Sequence, residues 1–234
     1  MSSEQMASAG PGSFFRIWMQ ALTKPNEATY ATLAASPGAR ATTAYLWVFL
    51  CSFAPALVSV LVSGGELTRR LAEAGVDAEQ YGGGLGAAAF NFLCITPFAA
   101  VVGVLGFLIG TALMQWVAKM FGGHGSFDQL AYALGAIAAP GLLVSALLTL
   151  PTAVPFVGLC FAGLSAVFSI YIIVLEVMAI KGAQHFGWGA AIGTFIIPGL
   201  AIAVVCCCAV AILASVAGLA LGDVWSTINQ SLLQ

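Results

Sequence analysis

Lys119-Met-Phe-Gly-Gly-His-Gly-Ser-Phe-Asp128 is a short polar loop between two apolar segments, each long enough to cross a bilayer. Lys119 suits the end of the preceding helix, where a cation meets the negative end of the dipole and its stem reaches the headgroups. Gly122, Gly123 and Gly125 permit the positive φ angles of a tight reversal. Ser126 with Gln129 reads as a capping box opening the next helix, and Asp128 favours its positive end. No Lys-Ser/Thr pair follows the glycines and no strand precedes them, so the loop reads as a turn rather than a phosphate cradle.

Composition extends this reading to the whole chain. Of 234 residues, 61% are hydrophobic and only 7% charged, whereas a soluble domain is about a quarter charged. No charge falls between Glu79 and Lys119, between Asp128 and Glu176, or between Lys181 and Asp223. Each gap exceeds the ~20 residues of one span. A net charge of −2 argues against a nucleic-acid partner.

The cysteines (Cys51, Cys94, Cys160, Cys206, Cys207 and Cys208) all lie in apolar segments. Consecutive helical residues fan out by about 100° each, so the Cys206–Cys208 triplet is a poor metal site. Neither a metal nor another cofactor is expected. The first long apolar run starts near Thr42, too late for an ordinary signal peptide, and reads as a retained anchor.

Residues 1–41 form the expected N-terminal segment, with a polar start. Phe14, Trp18, Ala21 and Leu22 then share one helical face, opposite Arg16, Gln20 and Lys24. Pro25 interrupts this helix, a second piece from Asn26 to Ala35 carries Tyr30, Leu33 and Ala34 on its apolar side, and Ser36-Pro37-Gly38 breaks the chain again. Two readings stand: an amphipathic segment on the membrane surface, or a helix packed on the protein's own loops. The membrane domain covers 42–221, with spans at about 42–62, 85–118, 130–150, 156–180 and 188–221. A polar tail occupies 222–234. Between spans one and two, Glu66 to Glu73 reads as a short helix followed by Gly82-Gly83-Gly84. The second and fifth spans are over-long and read as interrupted, at Thr96-Pro97 and Pro198-Gly199.

The expected fold is therefore an all-α integral membrane protein of five transmembrane helices. Five spans put the termini on opposite sides. Arg16, Lys24, Arg40, Lys119 and Lys181 fall on one side and only Arg69 and Arg70 on the other. The positive-inside rule then gives N-in/C-out.

Three groups of residues carry a family resemblance. The first is Phe15-Arg-Ile-Trp18 with Leu22-Thr-Lys-Pro25 and Leu33. The second is Phe121-Gly-Gly-His-Gly-Ser-Phe127 with Pro140 downstream, and the third is His185-Phe-Gly-Trp-Gly-Ala190. In this order and spacing the chain resembles the Yip-type family, membrane proteins named for interacting with Ypt/Rab GTPases, and in particular its prokaryotic branch. The resemblance implies five spans, an inside N-terminus and no known catalysis. Eukaryotic relatives are linked to vesicle trafficking and GTPase binding, attributed largely to a longer cytosolic N-terminus. The segment of about 40 residues here shows no folded domain, which argues against GTPase binding.

The sequence also repeats a pattern. Gly135-Ala-Ile-Ala-Ala-Pro-Gly-Leu142 and Gly193-Thr-Phe-Ile-Ile-Pro-Gly-Leu200 share Gly-x4-Pro-Gly-Leu, each preceded by a Lys-then-His loop (Lys119 and His124; Lys181 and His185). Spans two–three and four–five then read as two copies of one hairpin. Proline-glycine breaks at Pro140-Gly141 and Pro198-Gly199 would free backbone carbonyls at matched depths, as in transporter sites.

Glu176 is the one acid inside a span, a functional candidate by default; the competing reading pairs it with Lys181 at the interface. His124 and His185 lack a second ligand at metal spacing and read as loop histidines. With no catalytic constellation, the chain is expected not to be an enzyme. The expectation is a cell-membrane protein, in the bacterial plasma membrane, acting as a non-catalytic scaffold or adaptor. Its partners are the lipid bilayer and membrane proteins or a second copy of itself. The alternatives are an accessory subunit of a larger complex, or a small transporter using the proline-glycine breaks and Glu176.

Overall fold

A computed structural model of the chain describes residues 12–59, 91–154 and 156–232. The expected polar start at 1–11, the Glu66–Glu73 helix, the glycine run and the beginning of the second span lie outside these residues. Among the described residues all regular structure is helical. In chain order, α1 is Gly12–Thr23, α2 Glu27–Ala34, α3 Ala41–Cys51, α4 Thr96–Met120, α5 Phe127–Thr149, α6 Val157–Gln184 and α7 Trp188–Leu232. Beyond Cys51, the first span continues past a turn at Ser52 to Ser59. Among the described residues, five helices are long and apolar enough to cross a membrane: Ala41–Ser59, Phe92–Met120, Phe127–Thr149, Val157–Gln184 and Trp188–Ala211.

Local chemistry sets the boundaries. The Asn26 side chain accepts from the Ala28 N–H at 3.1 Å and starts α2 directly after Pro25. Ser126 and Gln129 form the reciprocal capping box that opens α5. Lys119 and Lys181 occupy the last turns of α4 and α6. Pro151 lies in the short 3-10 turn Leu150–Ala153 that ends α5.

The expected proline-glycine interruptions are corrected. α5 continues through Pro140 and α7 through Pro198. Each proline removes one backbone N–H, but an apolar environment gives the rest of the helix no alternative to its internal hydrogen bonds. At Thr96-Pro97 the chain changes winding rather than breaking. One π-helical turn, Asn91–Ile95, passes directly into α4, whose first turn tolerates proline.

The chain divides into two units, Met1–Phe195 and Ile196–Gln234. The first unit is centred on α5, which is buried without a gap from Leu130 to Ile137. α3 crosses α5 closely enough that a Cβ on Gly135 would stand 2.5 Å from the Ala44 Cβ. α6 runs along α5, with Ile172 against Gly141. α1 and α2 join the same core, where Ala21 and Tyr30 are fully enclosed and Leu33 and Ala34 are buried. Trp18 of α1 stacks edge-on to Trp47 of α3 at 5.8 Å, and Trp47 meets Tyr132 of α5 at 5.1 Å. Of the two readings of the N-terminal helices, packing against the protein itself therefore describes their inner faces. The second unit is the remainder of α7, a continuous helix carrying Pro198, Gly199 and the exposed Cys206–Cys208 triplet.

Burial within the first unit is uneven. Nearly every α6 side chain from Leu175 to Gln184 is buried or half-buried, whereas Val157, Leu159, Leu164, Val167 and Ile170 face outward. Apolar residues of α4 such as Leu93, just before it, and Phe98 and Val102 within it do the same. Such surfaces suit hydrocarbon as solvent. The dry core and the polar loops share the other end, and the candidate site is built there.

Candidate functional site

The loop after α4 is held by polar side chains that reach its backbone. Gly122 adopts φ +80°, a left-handed turn open to glycine at no steric cost. The Lys119 ammonium donates to the Gly123 carbonyl at 3.0 Å, and the Gln115 carboxamide donates to the Gly125 carbonyl at 2.9 Å. Gln184, fully buried at the end of α6, donates from its side chain to Gln115 Oε1 and accepts the His124 backbone N–H at its carbonyl, at 3.1 Å. A Cβ on Gly125 would collide with the Ala183 carbonyl oxygen, so this approach requires glycine. The structure thus brings the two Lys-then-His loops together through Gln115 and Gln184. Neither glutamine stood out in the sequence. The available signal was a carboxamide one turn from the lysine that closes each apolar helix, Gln115 with Lys119 and Gln184 with Lys181.

Lys181 is paired with Glu27 of α2, and its ammonium stands 4.6 Å from the Trp188 ring centroid. This overturns the expected pairing of Lys181 with Glu176. Glu176 is half-buried on α6 and makes no hydrogen bond or ion pair among the described residues. Asp128, expected only to favour the start of its own helix, also accepts the Ala41 N–H at 2.9 Å and so caps α3.

The remaining candidates separate. His124 and His185 are exposed, and His185 closes α6 in the left-handed conformation, φ +57°. No group of three potential metal ligands occurs among the described residues. Pro140 and Gly141 are buried in α5. Pro198 and Gly199 belong to the second unit. A wholly apolar groove of about 320 Å3 on the first unit is lined by Tyr45, Leu46, Phe49, Val101, Val104 and Leu105, none of them a candidate.

The docked N-terminal helices complete the site. The Tyr30 hydroxyl donates to the Ala21 carbonyl at 2.7 Å, and the Tyr171 hydroxyl of α6 donates to that of Leu22. Burial, with a smaller contribution from Tyr171, raises the Tyr30 pKa far above the usual tyrosine range and holds it as the neutral donor. The family model of the Yip1 domain matches residues 19–223, from α1 into α7. The chain belongs to the Yip1 family. The match takes in the central loop, both glutamines and the N-terminal contacts, so this polar end lies inside the Yip1 domain. No curated protein and no solved structure matches the chain.

Proposed function

We propose that this Yip1-family membrane protein is a non-catalytic scaffold or adaptor, whose polar end is a fixed platform for organising the membrane or recruiting a partner. The observation that supports this is the use made of the polar side chains. Lys119, Gln115, Asp128, Tyr30 and Tyr171 each bond the chain's own backbone, Gln184 bonds Gln115, and Lys181 bonds Glu27. Groups so engaged hold a surface in shape. We take the platform to face the cytoplasm of a bacterial plasma membrane, following the excess of Arg and Lys at this end. The test is purification from the native membrane in mild detergent, with mass spectrometry of what accompanies the protein. A stoichiometric set of membrane proteins is the expected result; the protein emerging alone would overturn recruitment.

One observation favours a second reading, a small transporter. Glu176 lies inside a span while the nearby lysine is committed to Glu27, and intramembrane acids commonly mark ion or substrate paths. Flux through proteoliposomes that disappears in Glu176→Gln would establish it.

A further inference from the structure

α1 carries two faces with different surroundings. Ile17, Trp18 and Ala21 are built into the core. The opposite side holds Phe15 and Met19, 60% and 45% exposed, together with exposed Arg16 and Lys24, which have no acidic partner among the described residues. In water, Phe15 and Met19 would keep apolar area hydrated. In hydrocarbon, Arg16 would be an unpaired charge. Only the headgroup layer suits both.

The helix is also fixed in place. The carbonyls of Gln20, Ala21 and Leu22 lack partners within α1 and would otherwise need water. They accept instead from the Lys24 backbone N–H at 3.1 Å, the Tyr30 hydroxyl and the Tyr171 hydroxyl. The nearby acids are engaged, Glu27 by Lys181 and Asp128 by the Ala41 N–H. Among the described residues, Arg16 and Lys24 therefore face outward with no carboxylate paired to them.

We propose that the outer face of α1 is a preorganised docking surface for the headgroups of an anionic lipid leaflet. Arg16 and Lys24 meet the lipid phosphates, and Phe15 and Met19 enter the acyl boundary. Charge complementarity selects anionic over zwitterionic lipid. The inference rests on the proposed membrane-organising role and gives it a lipid class.

The test uses the full chain in detergent, titrated with phosphatidylglycerol or phosphatidylcholine while thermal stability is followed. Phosphatidylglycerol should raise Tm at lower concentration than phosphatidylcholine. Arg16→Gln with Lys24→Gln should raise the half-saturating phosphatidylglycerol concentration roughly fivefold per cation. Phe15→Ser with Met19→Ser should weaken both lipids but keep the preference. An unchanged lipid-free Tm shows that these exposed substitutions leave the fold intact. Equal responses to the two lipids, or a preference surviving loss of both cations, would overturn the proposal. So would inorganic phosphate abolishing the response, which would mean a free-anion site. An absence of co-purifying proteins bears on the scaffold reading and leaves this result untouched.

Discussion

The Tyr171 hydroxyl, in the interior of α6, donates to the carbonyl oxygen of Leu22 at the end of α1. It joins residues 149 positions apart and ties the N-terminal helix to the membrane core. Tyr171→Phe removes this donor at an exposed site and should cost about 1 kcal/mol. For a chain of this size that is a fall of roughly 2–4 °C in Tm. Tyr30→Phe leaves the buried Ala21 carbonyl without its donor and should cost more, about 1–3 kcal/mol. Thermal unfolding of the purified variants in one detergent gives the order.

Tyr30 also predicts an alkaline weakness. Its folded-state pKa is raised by burial, so the unfolded chain loses this proton first as pH rises. The stability it contributes is complete below the ordinary tyrosine pKa of about 10 and declines above it. Wild-type Tm should fall more steeply than that of Tyr30→Phe between about pH 9.5 and 11. Parallel curves would show that Tyr30 is ionised equally easily in both states.

Gln184 is fully enclosed and linked to Gln115. Gln184→Leu fills similar space but leaves Gln115 Oε1 without its donor, a cost of about 1–3 kcal/mol. Gln184→Glu places a carboxylate beside the Gln115 oxygen and should be worse. Limited proteolysis at 121–126 should be faster in both variants; an equally resistant loop would show that the glutamines do not hold it.

The crossing of α3 and α5 has no space for a side chain at Gly135. A Cβ there would lie 2.5 Å from the Ala44 Cβ and 3.0 Å from its Cα. Gly135→Val should force the helices apart and cost at least the 1–3 kcal/mol typical of overpacking. Gly106→Val, where an added Cβ meets no described atom of another element within 4 Å, is the control and should be nearly silent. Tm and elution profile separate the two.

What the sequence made legible was local. The capping box at Ser126 and Gln129 needs only four consecutive residues, and the Tyr30, Leu33 and Ala34 stripe follows from one helical period. Charge-free gaps locate apolar helices because hydrocarbon tolerates little else. The candidate site was not legible in this way, because its contacts are distant. Lys181 had an acid five residues away in Glu176 and instead pairs with Glu27, 154 positions off. Gln115 and Gln184 meet across 69 residues, and no periodicity signals a carboxamide pair. Pro140 and Pro198 look like breaks in the sequence because proline lacks an N–H, whereas both helices absorb it.

The ion pair between Glu27 and Lys181 also bears on how the protein is made. At about 5–20 residues per second, the ribosome needs on the order of ten to thirty seconds to add the 154 residues between them. Throughout that interval α1 and α2 exist without the α6 surface that encloses Tyr30 and satisfies Leu22. These two helices are thus synthesised well before part of the surface they pack on. Until α6 arrives, Tyr30 lacks the Gly182 surface it packs against and must be sheltered by lipid or a chaperone.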